Sequence, residues 1–227
     1  MYLHQTVTRM ELLKTTHQYL DRYPVRADSE KLIVGTIHPH FHEQFELPFF
    51  YGNRLSIWRI LDEAFPGEMG QPLSVEGIHA FLVKRKISVS DTILECIRKN
   101  RSALDKDLIP TRLNHGLIEQ IRHSNIRQVF FTSGFGTNNA FRLFYEKIMG
   151  LKISPEIRKN REVLLDKSYF GRPVQLTILY SPSGAANIAM ATSALYLPHK
   201  KEYEAGGPRP VHRFKVDYYR EKFGGKQ

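Results

Sequence analysis

The sequence has very little cysteine and no long apolar run, and each absence excludes a class of protein. Cys96 is the only cysteine among 227 residues, so one chain can form neither a disulfide framework nor a zinc site built from cysteines. No apolar stretch approaches the roughly 20 residues that span a bilayer. The segment 1–14 also lacks the apolar core of a secretory signal. We therefore expect a protein of the cytoplasm, or of the nucleus in a eukaryote, with no membrane partner.

Acidic residues are outnumbered by basic ones. There are 33 Lys and Arg against 23 Asp and Glu, a formal net charge of +10, and a field of that sign attracts polyanions such as nucleic acid. A domain of this size hides roughly 70–75% of the surface of its unfolded chain, which is enough for a stable core. We expect one domain over 1–227, with a helical N-terminal extension (1–30) and a basic C-terminal tail (200–227) that packs on the domain or trails from it.

Short apolar runs alternate with segments of helical periodicity along the chain. The apolar runs predict strands over 31–36, 127–132 and 174–180. The periodic segments predict helices over 10–23, 56–65, 75–86, 113–123, 138–149 and 211–223. Apolar strands separated by helices favour a parallel sheet with helices on both faces. Because sites in such sheets lie beyond the carboxyl ends of the strands, we examine the loops 35–53, 133–138 and 181–187.

The first of these loops contains histidines and aromatic residues. His38, His40 and His42 occupy alternate positions, and histidine is a common zinc ligand. In an extended segment, however, they lie too far apart to close one tetrahedral site without a turn, so we predict no metal. Phe50 and Tyr51 follow. Such aromatics either belong to the core or stack on a base.

The other two loops are rich in small polar residues. SGFGTNN opens a helix and reads either as a tight turn or as a phosphate-binding loop, although it lacks the three spaced glycines of the dinucleotide fingerprint. YSPSGAAN suits contact with phosphate. It does not match the G-x-S-x-G pattern of serine hydrolases. An α/β enzyme that binds a nucleotide through SGFGTNN therefore stays open as a hypothesis.

Three segments, taken in order, resemble the uracil-DNA glycosylase superfamily, and are closest to its mismatch-specific and hypoxanthine branches. VGTIHP with FFYGN and IWRIL is similar to the first motif, ISVSDTILECIRKNRSALD to the segment that lines the base pocket, and LYSPSGAAN to the second catalytic motif. VFFTSGFGTNNAF is similar to the strand, loop and helix between them. The resemblance spans 31–187. It implies an α/β three-layer sandwich with a central four-stranded parallel sheet.

The resemblance also implies an activity. Family members flip a damaged base out of DNA and hydrolyse its N-glycosidic bond without a metal or organic cofactor. The expected substrate is a deaminated or damaged base, such as uracil, hypoxanthine or a mismatched base, in duplex or single-stranded DNA. We accordingly expect a monomer that works in base excision repair close to the nucleoid.

The motifs point to individual residues. Relatives carry Asn or Asp where this chain has His38, and the second motif places Ser181 where they have His or Asn; the hypoxanthine branch uses an asparagine at the position of Ser56, with Asn53 nearby. The predicted catalytic residues are therefore His38, Ser181 and Asn53. The predicted base pocket consists of Gly35, Thr36, Phe50, Tyr51, Asp91 and Ser133. The predicted contacts to the DNA backbone are Ser183, Gly184 and Asn187. Since the usual Asn or Asp is replaced, the alternative is a glycosylase fold that binds nucleic acid without catalysis.

Overall fold

A computed structural model describes residues 12–52, 57–99 and 102–224. The strands are β1 (Leu12–Thr16), β2 (Lys31–Gly35), β3 (Ile87–Asp91), β4 (Ile93–Lys99), β5 (Leu108–Leu113), β6 (Gln128–Phe131), β7 (Glu162–Leu165) and β8 (Val174–Ile178). The helices are α1 (Ile57–Ala64), α2 (Val75–Lys84), α3 (Leu117–Arg122), α4 (Ala140–Arg142), α5 (Pro155–Asn160), α6 (Lys167–Phe170), α7 (Asn187–Ala191), α8 (Lys200–Ala205) and α9 (Pro210–Gly224). A π-helical segment, Leu143–Ile148, continues α4.

The larger sheet has five strands in the order β3-β2-β6-β8-β7. The first four run parallel, whereas β7 pairs antiparallel with β8 at the edge. The expected sheet of four parallel strands alone is therefore corrected to a mixed sheet of five. The sequence hides β7 because it is four residues long and only its last residue is buried, so it lacks the continuous apolar run that marks a strand covered on both faces.

A second sheet, of order β1-β4-β5, is antiparallel throughout. The helix predicted over 10–23 is wrong for its described part, because Leu12–Thr16 is a strand paired with β4 from Leu12↔Lys99 to Thr16↔Glu95. Pairing with a neighbouring strand overrides the local periodicity. The helix predicted over 113–123 starts only at Leu117, since Leu108–Leu113 forms β5. This sheet brings the residues that follow β1 to the end of β3.

Helices cover both faces of the larger sheet. On one face, Ile33 and Phe130 of the sheet share a buried cluster with Trp58 of α1 and Tyr219 of α9. The opposite face packs Leu32, Val34, Val129 and Phe131 against α3 to α6. Neighbouring positions of β2 thus point to opposite helical layers, as expected for a strand buried on both sides.

Local signals fix the ends of several helices. Ser74 caps α2 by accepting a hydrogen bond from the amide of Gly77, as its sequence position predicts. The helix predicted over 211–223 is confirmed as α9, whose Phe223 is fully buried. No helix in the described ranges is long and apolar enough to cross a membrane.

Candidate active site

The carboxyl ends of β2, β3 and β6 lie side by side. Gly35 and Asp91, the last residues of β2 and β3, are direct partners in the parallel register. The amide of Thr132, just beyond β6, donates to the carbonyl of Val34 over 3.1 Å. Thr36 and Ser133 each follow one of these strand ends. The structure therefore gathers most of the predicted base pocket at one edge of the sheet.

Asp91 is a buried carboxylate held by a histidine. Nε2 of His17 lies 2.8 Å from Oδ2 of Asp91, and only 2% and 6% of the two side chains are exposed. Nδ1 of His17 accepts a hydrogen bond from the amide of Tyr19 at 3.1 Å, so the ring carries its proton on Nε2 and donates it to Asp91. Burial raises the pKa of Asp91, while the hydrogen bond from His17 opposes the rise.

A second carboxylate, Asp105, lies on the other side of the β2 terminus. The hydroxyl of Thr36 donates to its Oδ1 at 2.9 Å, and Ser133 provides a further side-chain hydrogen bond. The amide nitrogen of Asn139 lies 3.2 Å from Oδ2 in the orientation that satisfies all its partners. Burial raises the pKa of Asp105, and the nearby charge of Asp91 raises it further.

Tyr51 closes the space between these groups. Its hydroxyl lies 3.1 Å from Oγ1 of Thr132, and it approaches Gly35 so closely that a Cβ there would clash with both Tyr51 and Asp91. Glycine at position 35 therefore permits the contact. Burial and the neighbouring charge of Asp91 hold the pKa of Tyr51 well above its usual value, so the phenol keeps its proton.

This arrangement has the parts of a hydrolytic site. Two carboxylates with raised pKa values suit proton transfer or the positioning of water. The phenol of Tyr51 and the hydroxyl of Thr132 are neutral donors that could stabilise negative charge as it develops. The cluster of Asp91, Asp105, Tyr51, Thr132 and His17 is called the strand-edge site below.

His38 lies behind the strand-edge site, with its ring centroid 4.9 Å from that of His17. Both ring nitrogens have backbone partners, because Nδ1 donates to the carbonyl of Pro39 at 2.8 Å and Nε2 accepts from the amide of Gln18 at 3.1 Å. Burial lowers the pKa of His38 to about 4. In this state the ring is neutral and holds the loop against the segment after β1.

The other histidines of that loop also bind neighbouring side chains. Nδ1 of His40 lies 3.0 Å from the hydroxyl of Thr15, and Nδ1 of His42 lies 2.9 Å from that of Tyr19. Within the described ranges, no three His, Cys, Asp or Glu side chains are arranged to hold a metal ion.

The loop 181–187 lies beside α9. The hydroxyl of Ser181 donates to the hydroxyl of Ser183 at 3.3 Å and accepts from the amide of Ser183, also at 3.3 Å. These bonds form a turn around Pro182. Nζ of Lys215 donates to the carbonyl of Ser183 at 3.1 Å. Gly184 and Asn187 line a cavity next to this contact. The three residues predicted to contact DNA are therefore grouped beside α9, whereas His38 lines a different cavity.

The polar groups of the glycine-rich loop 133–139 hydrogen-bond to one another. The side-chain oxygen of Asn139 accepts from the amides of Gly134 and Gly136 at 3.2 and 3.3 Å. Oγ of Ser133 accepts from the amide of Ala140 at 2.8 Å. These amides already have acceptors within the turn, so they are not free to bind a phosphate. This counts against the loop as a phosphate-binding site.

Two further predicted site residues are Phe50, which lies in the core, and Asn53, which the structure does not describe. Phe50 is 1% exposed and belongs to the core cluster with Trp58, so its ring packs in the interior. Asn53, together with Ser56, falls outside the described residues.

Sequence reasoning missed three members of the strand-edge site. His17 was assigned to a helix, and no motif marks it. Asp105 ends the segment that resembles the lining of the family's base pocket, and Thr132 lies in VFFTSGFGTNN, so a closer reading of those two segments could have found both. Only the unrecognised strand β1 explains why His17 reaches Asp91.

Comparison with known proteins gives little beyond this geometry. No family model matches the chain, and no curated protein matches it. A solved structure described as a "putative Uracil DNA glycosylase from Methanosarcina acetivorans" is similar at 17% sequence identity and a TM-score of 0.49, over 92% of this chain and 98% of that one.

Proposed function

We propose that this chain is a DNA glycosylase that hydrolyses the N-glycosidic bond of a deaminated or damaged base. The observation that carries the proposal is Asp91, a buried carboxylate at the carboxyl end of a parallel strand, oriented by His17 at 2.8 Å. The ordered motifs that resemble uracil-DNA glycosylases lie around the same strand ends. Their presence supports a hydrolytic site over an unrelated structural ion pair.

In the proposed reaction, Asp91 orients a water molecule toward C1′ of the flipped nucleotide. The carboxylate also stabilises the positive charge that develops on the sugar as the bond breaks. His17 keeps the carboxylate in place and favours its ionised form, which burial would otherwise disfavour. His17 is therefore a positioning residue. The water adds to C1′ and gives its proton to the carboxylate of Asp91, and the base leaves as an anion with the bonding electron pair.

The departing base needs hydrogen-bond donors. The hydroxyl of Thr132 and the phenol of Tyr51 lie at the same edge as Asp91, and each can donate to a base oxygen or nitrogen. Because Tyr51 fills the space beside Gly35, a base can enter only if Tyr51 leaves Thr132. We propose that the displaced ring then stacks on the flipped base.

DNA would approach over the loop 181–187. Arg59, Arg209 and Lys215 line a cavity beside this loop, and Lys159 and Arg161 line a cavity next to Tyr180, the residue before the loop. The net charge of +10 favours a polyanion in the same way. Ser183, Gly184 and Asn187 are the proposed contacts to phosphate, and a monomer suffices for this arrangement.

The second candidate is a glycosylase fold that binds nucleic acid without cleaving it. Tyr51 packed against Gly35 favours it, because the base pocket is filled by the protein's own side chain. The assignment of His38, Ser181 and Asn53 as the catalytic residues stays a competing prediction within the first candidate.

A single panel of substrates tests the proposal. Duplex and single-stranded oligonucleotides carrying uracil, hypoxanthine, xanthine or mismatched thymine are incubated with the full chain, and the released base is measured directly. Release from at least one substrate is expected. The same oligonucleotides give binding affinities, which should fall steeply with salt as counterions are released. Salt-dependent binding without any base release would support the non-catalytic candidate, and absence of binding at low salt would overturn both.

A further inference from the structure

Lys215 is a buried cation that takes no part in the proposed chemistry at the strand-edge site. It lies on α9 and is 1% exposed. In the described part of the chain its one hydrogen bond goes to the carbonyl of Ser183, and burial lowers its pKa to about 8. An ammonium group has three protons to donate. Two of them therefore have no acceptor among the described residues, and burying such a group is costly unless a partner arrives.

The amine lines a cavity of about 470 Å³ between the loop 181–187, α1 and α9. Among the other charged groups of its lining, Arg59 and His212 both bind the carboxylate of Glu63, at 3.0 and 2.6 Å. Arg209 is exposed at the rim, and no contact with a carboxylate is seen for it in the described ranges. The cavity thus presents two cations, Lys215 and Arg209, that no carboxylate of the described residues neutralises.

We propose that this cavity binds a phosphomonoester, with Lys215 and Arg209 as the cations that hold it. A phosphomonoester carries close to two negative charges at neutral pH, which matches the two cations, whereas an internal phosphodiester of DNA carries one. Ile60, Pro210 and Val211 form an apolar wall against which the organic part of the ligand packs. The volume falls in the range of small-ligand sites, roughly 300–1,000 Å³.

The phosphomonoester has two possible sources, a free nucleoside 5′-monophosphate and the 5′-phosphorylated end of a DNA strand. Either one offers the acceptor oxygens that Lys215 lacks. The cavity shares the loop 181–187 with the proposed DNA contact, but binding there requires no base excision. The two proposals can therefore fail separately.

Calorimetric titration of the full chain with thymidine 5′-monophosphate tests the site. Binding is expected for the nucleotide and, more weakly, for inorganic phosphate, but not for thymidine. Lys215→Met should weaken binding of the nucleotide at least about tenfold, the low end for a hydrogen bond to a charged group. The control Lys201→Met changes an exposed lysine of α8 and should have no effect. Equal affinity of the parent for thymidine and its monophosphate, or no binding of either, would overturn the proposal.

The pH dependence separates a bound phosphate from a structural lysine. Since only the charged amine holds phosphate, the affinity of the parent should fall about tenfold between pH 7 and pH 9, as the protonated fraction falls. Lys215→Arg keeps its charge and should bind equally at both pH values. The other charged groups that line the cavity are Arg59 and His212, which both bind Glu63, and Arg209. The comparison with Lys215→Arg separates their contribution from that of the amine. A parent affinity that does not change with pH would contradict the role of Lys215.

A second variant covers the case in which changes at Lys215 disturb folding. Arg209 has a φ of 54°, which glycine adopts without strain, so Arg209→Gly removes the second cation with little cost to the backbone. This variant should bind the nucleotide severalfold more weakly, while its melting temperature stays the same. Oligonucleotides with a 5′-phosphate or a 5′-hydroxyl distinguish the two sources. A preference for the phosphorylated end identifies DNA, and equal binding of both identifies the free nucleotide. If Arg209→Gly binds like the parent, the two-cation site is wrong.

Discussion

His17 donates its Nε2 proton to Asp91, and the two side chains come from different sheets. His17 follows β1 of the antiparallel sheet, whereas Asp91 ends β3 of the mixed sheet. The amide of Tyr19 holds the opposite ring nitrogen, which fixes the tautomer. The smaller sheet therefore completes the strand-edge site by supplying the partner of its buried carboxylate.

Removal of His17 should destabilise the fold in a pH-dependent way. His17→Ala leaves a buried carboxylate without its partner, at a cost of about 3–5 kcal/mol at neutral pH. Burial already raises the pKa of Asp91 above its unfolded value, so the folded state favours the protonated acid and loses stability as the pH rises through that pKa. The difference in unfolding free energy between the parent and His17→Ala should therefore become smaller as the pH falls. Urea unfolding at pH 7 and pH 5 measures it.

The double variant His17→Ala/Asp91→Asn provides the control. With the charge removed, it should be more stable than His17→Ala at neutral pH. The variant His123→Ala, which changes an exposed histidine, should leave stability unchanged. An equal deficit of His17→Ala at both pH values would mean that lost packing, and not the uncompensated charge, causes the effect.

Asp91→Asn should slow base release by at least about 100-fold, the low end for a group that positions water or transfers a proton. DNA affinity should change little, because the carboxylate is buried and lines neither of the two cavities that contain the basic residues of the proposed DNA surface. Single-turnover kinetics on the best substrate of the panel measure the effect. Asp21→Asn, at an exposed position, is the matched control.

His38→Ala, measured in the same assay, decides between the two assignments. Both of its ring nitrogens bind backbone groups, so the structure favours a loss of stability over a loss of chemistry. The role of Asp91 would pass to His38 if two results occur together. A well-folded His38→Ala would react about 100-fold more slowly, and Asp91→Asn would react at the parent rate.

The sequence predicts three of the four parallel strands, β2, β6 and β8, because their signal is local, but it does not predict β3. Each of β2, β6 and β8 is rich in apolar residues and leads into a loop that contains glycine or serine, a pattern that needs no partner to be recognised. The ends of these strands placed Gly35, Thr36 and Ser133 correctly at one edge. Asp91 was found through the resemblance of its segment to a known family.

The second sheet could not be predicted in the same way. Thr15 is buried while Leu12 is exposed, so β1 shows no apolar stripe. Its strand conformation comes from pairing with β4, some eighty residues later in the chain. The partners of His17 and Asp105 depend on that pairing and on the turn before β5. Long-range contacts of this kind are absent from local periodicity.

His38 should make the protein less stable in acid. Burial lowers its folded-state pKa to about 4 from 6.5, a difference worth about 3 kcal/mol. A lowered pKa means that the unfolded chain takes up the proton first, so this contribution is complete above about pH 6.5 and is lost as the pH falls toward 4. His38→Gln should flatten the stability profile over this window. His79→Gln, at an exposed site, should leave the slope unchanged, and a His38→Gln slope equal to that of the parent would contradict the prediction.

Phe50 and Tyr51 are adjacent, and the structure assigns them different roles. The ring of Phe50 is 1% exposed in the core, so Phe50→Leu should lower the unfolding free energy by about 1–3 kcal/mol, the usual range for a core change. The hydroxyl of Tyr51 bonds Thr132 at the strand-edge site, so Tyr51→Leu should lose the stacking of a flipped base, about 1–3 kcal/mol of binding, while its melting temperature changes less. Tyr51→Phe keeps the ring and should retain that affinity, which separates stacking from the hydroxyl contact.

Fluorescence titration with the best substrate of the panel and thermal melts give both quantities for each variant. If Tyr51→Leu unfolds as readily as Phe50→Leu and binds the damaged and undamaged duplexes with the same ratio as the parent, Tyr51 is a core residue and the base is held elsewhere.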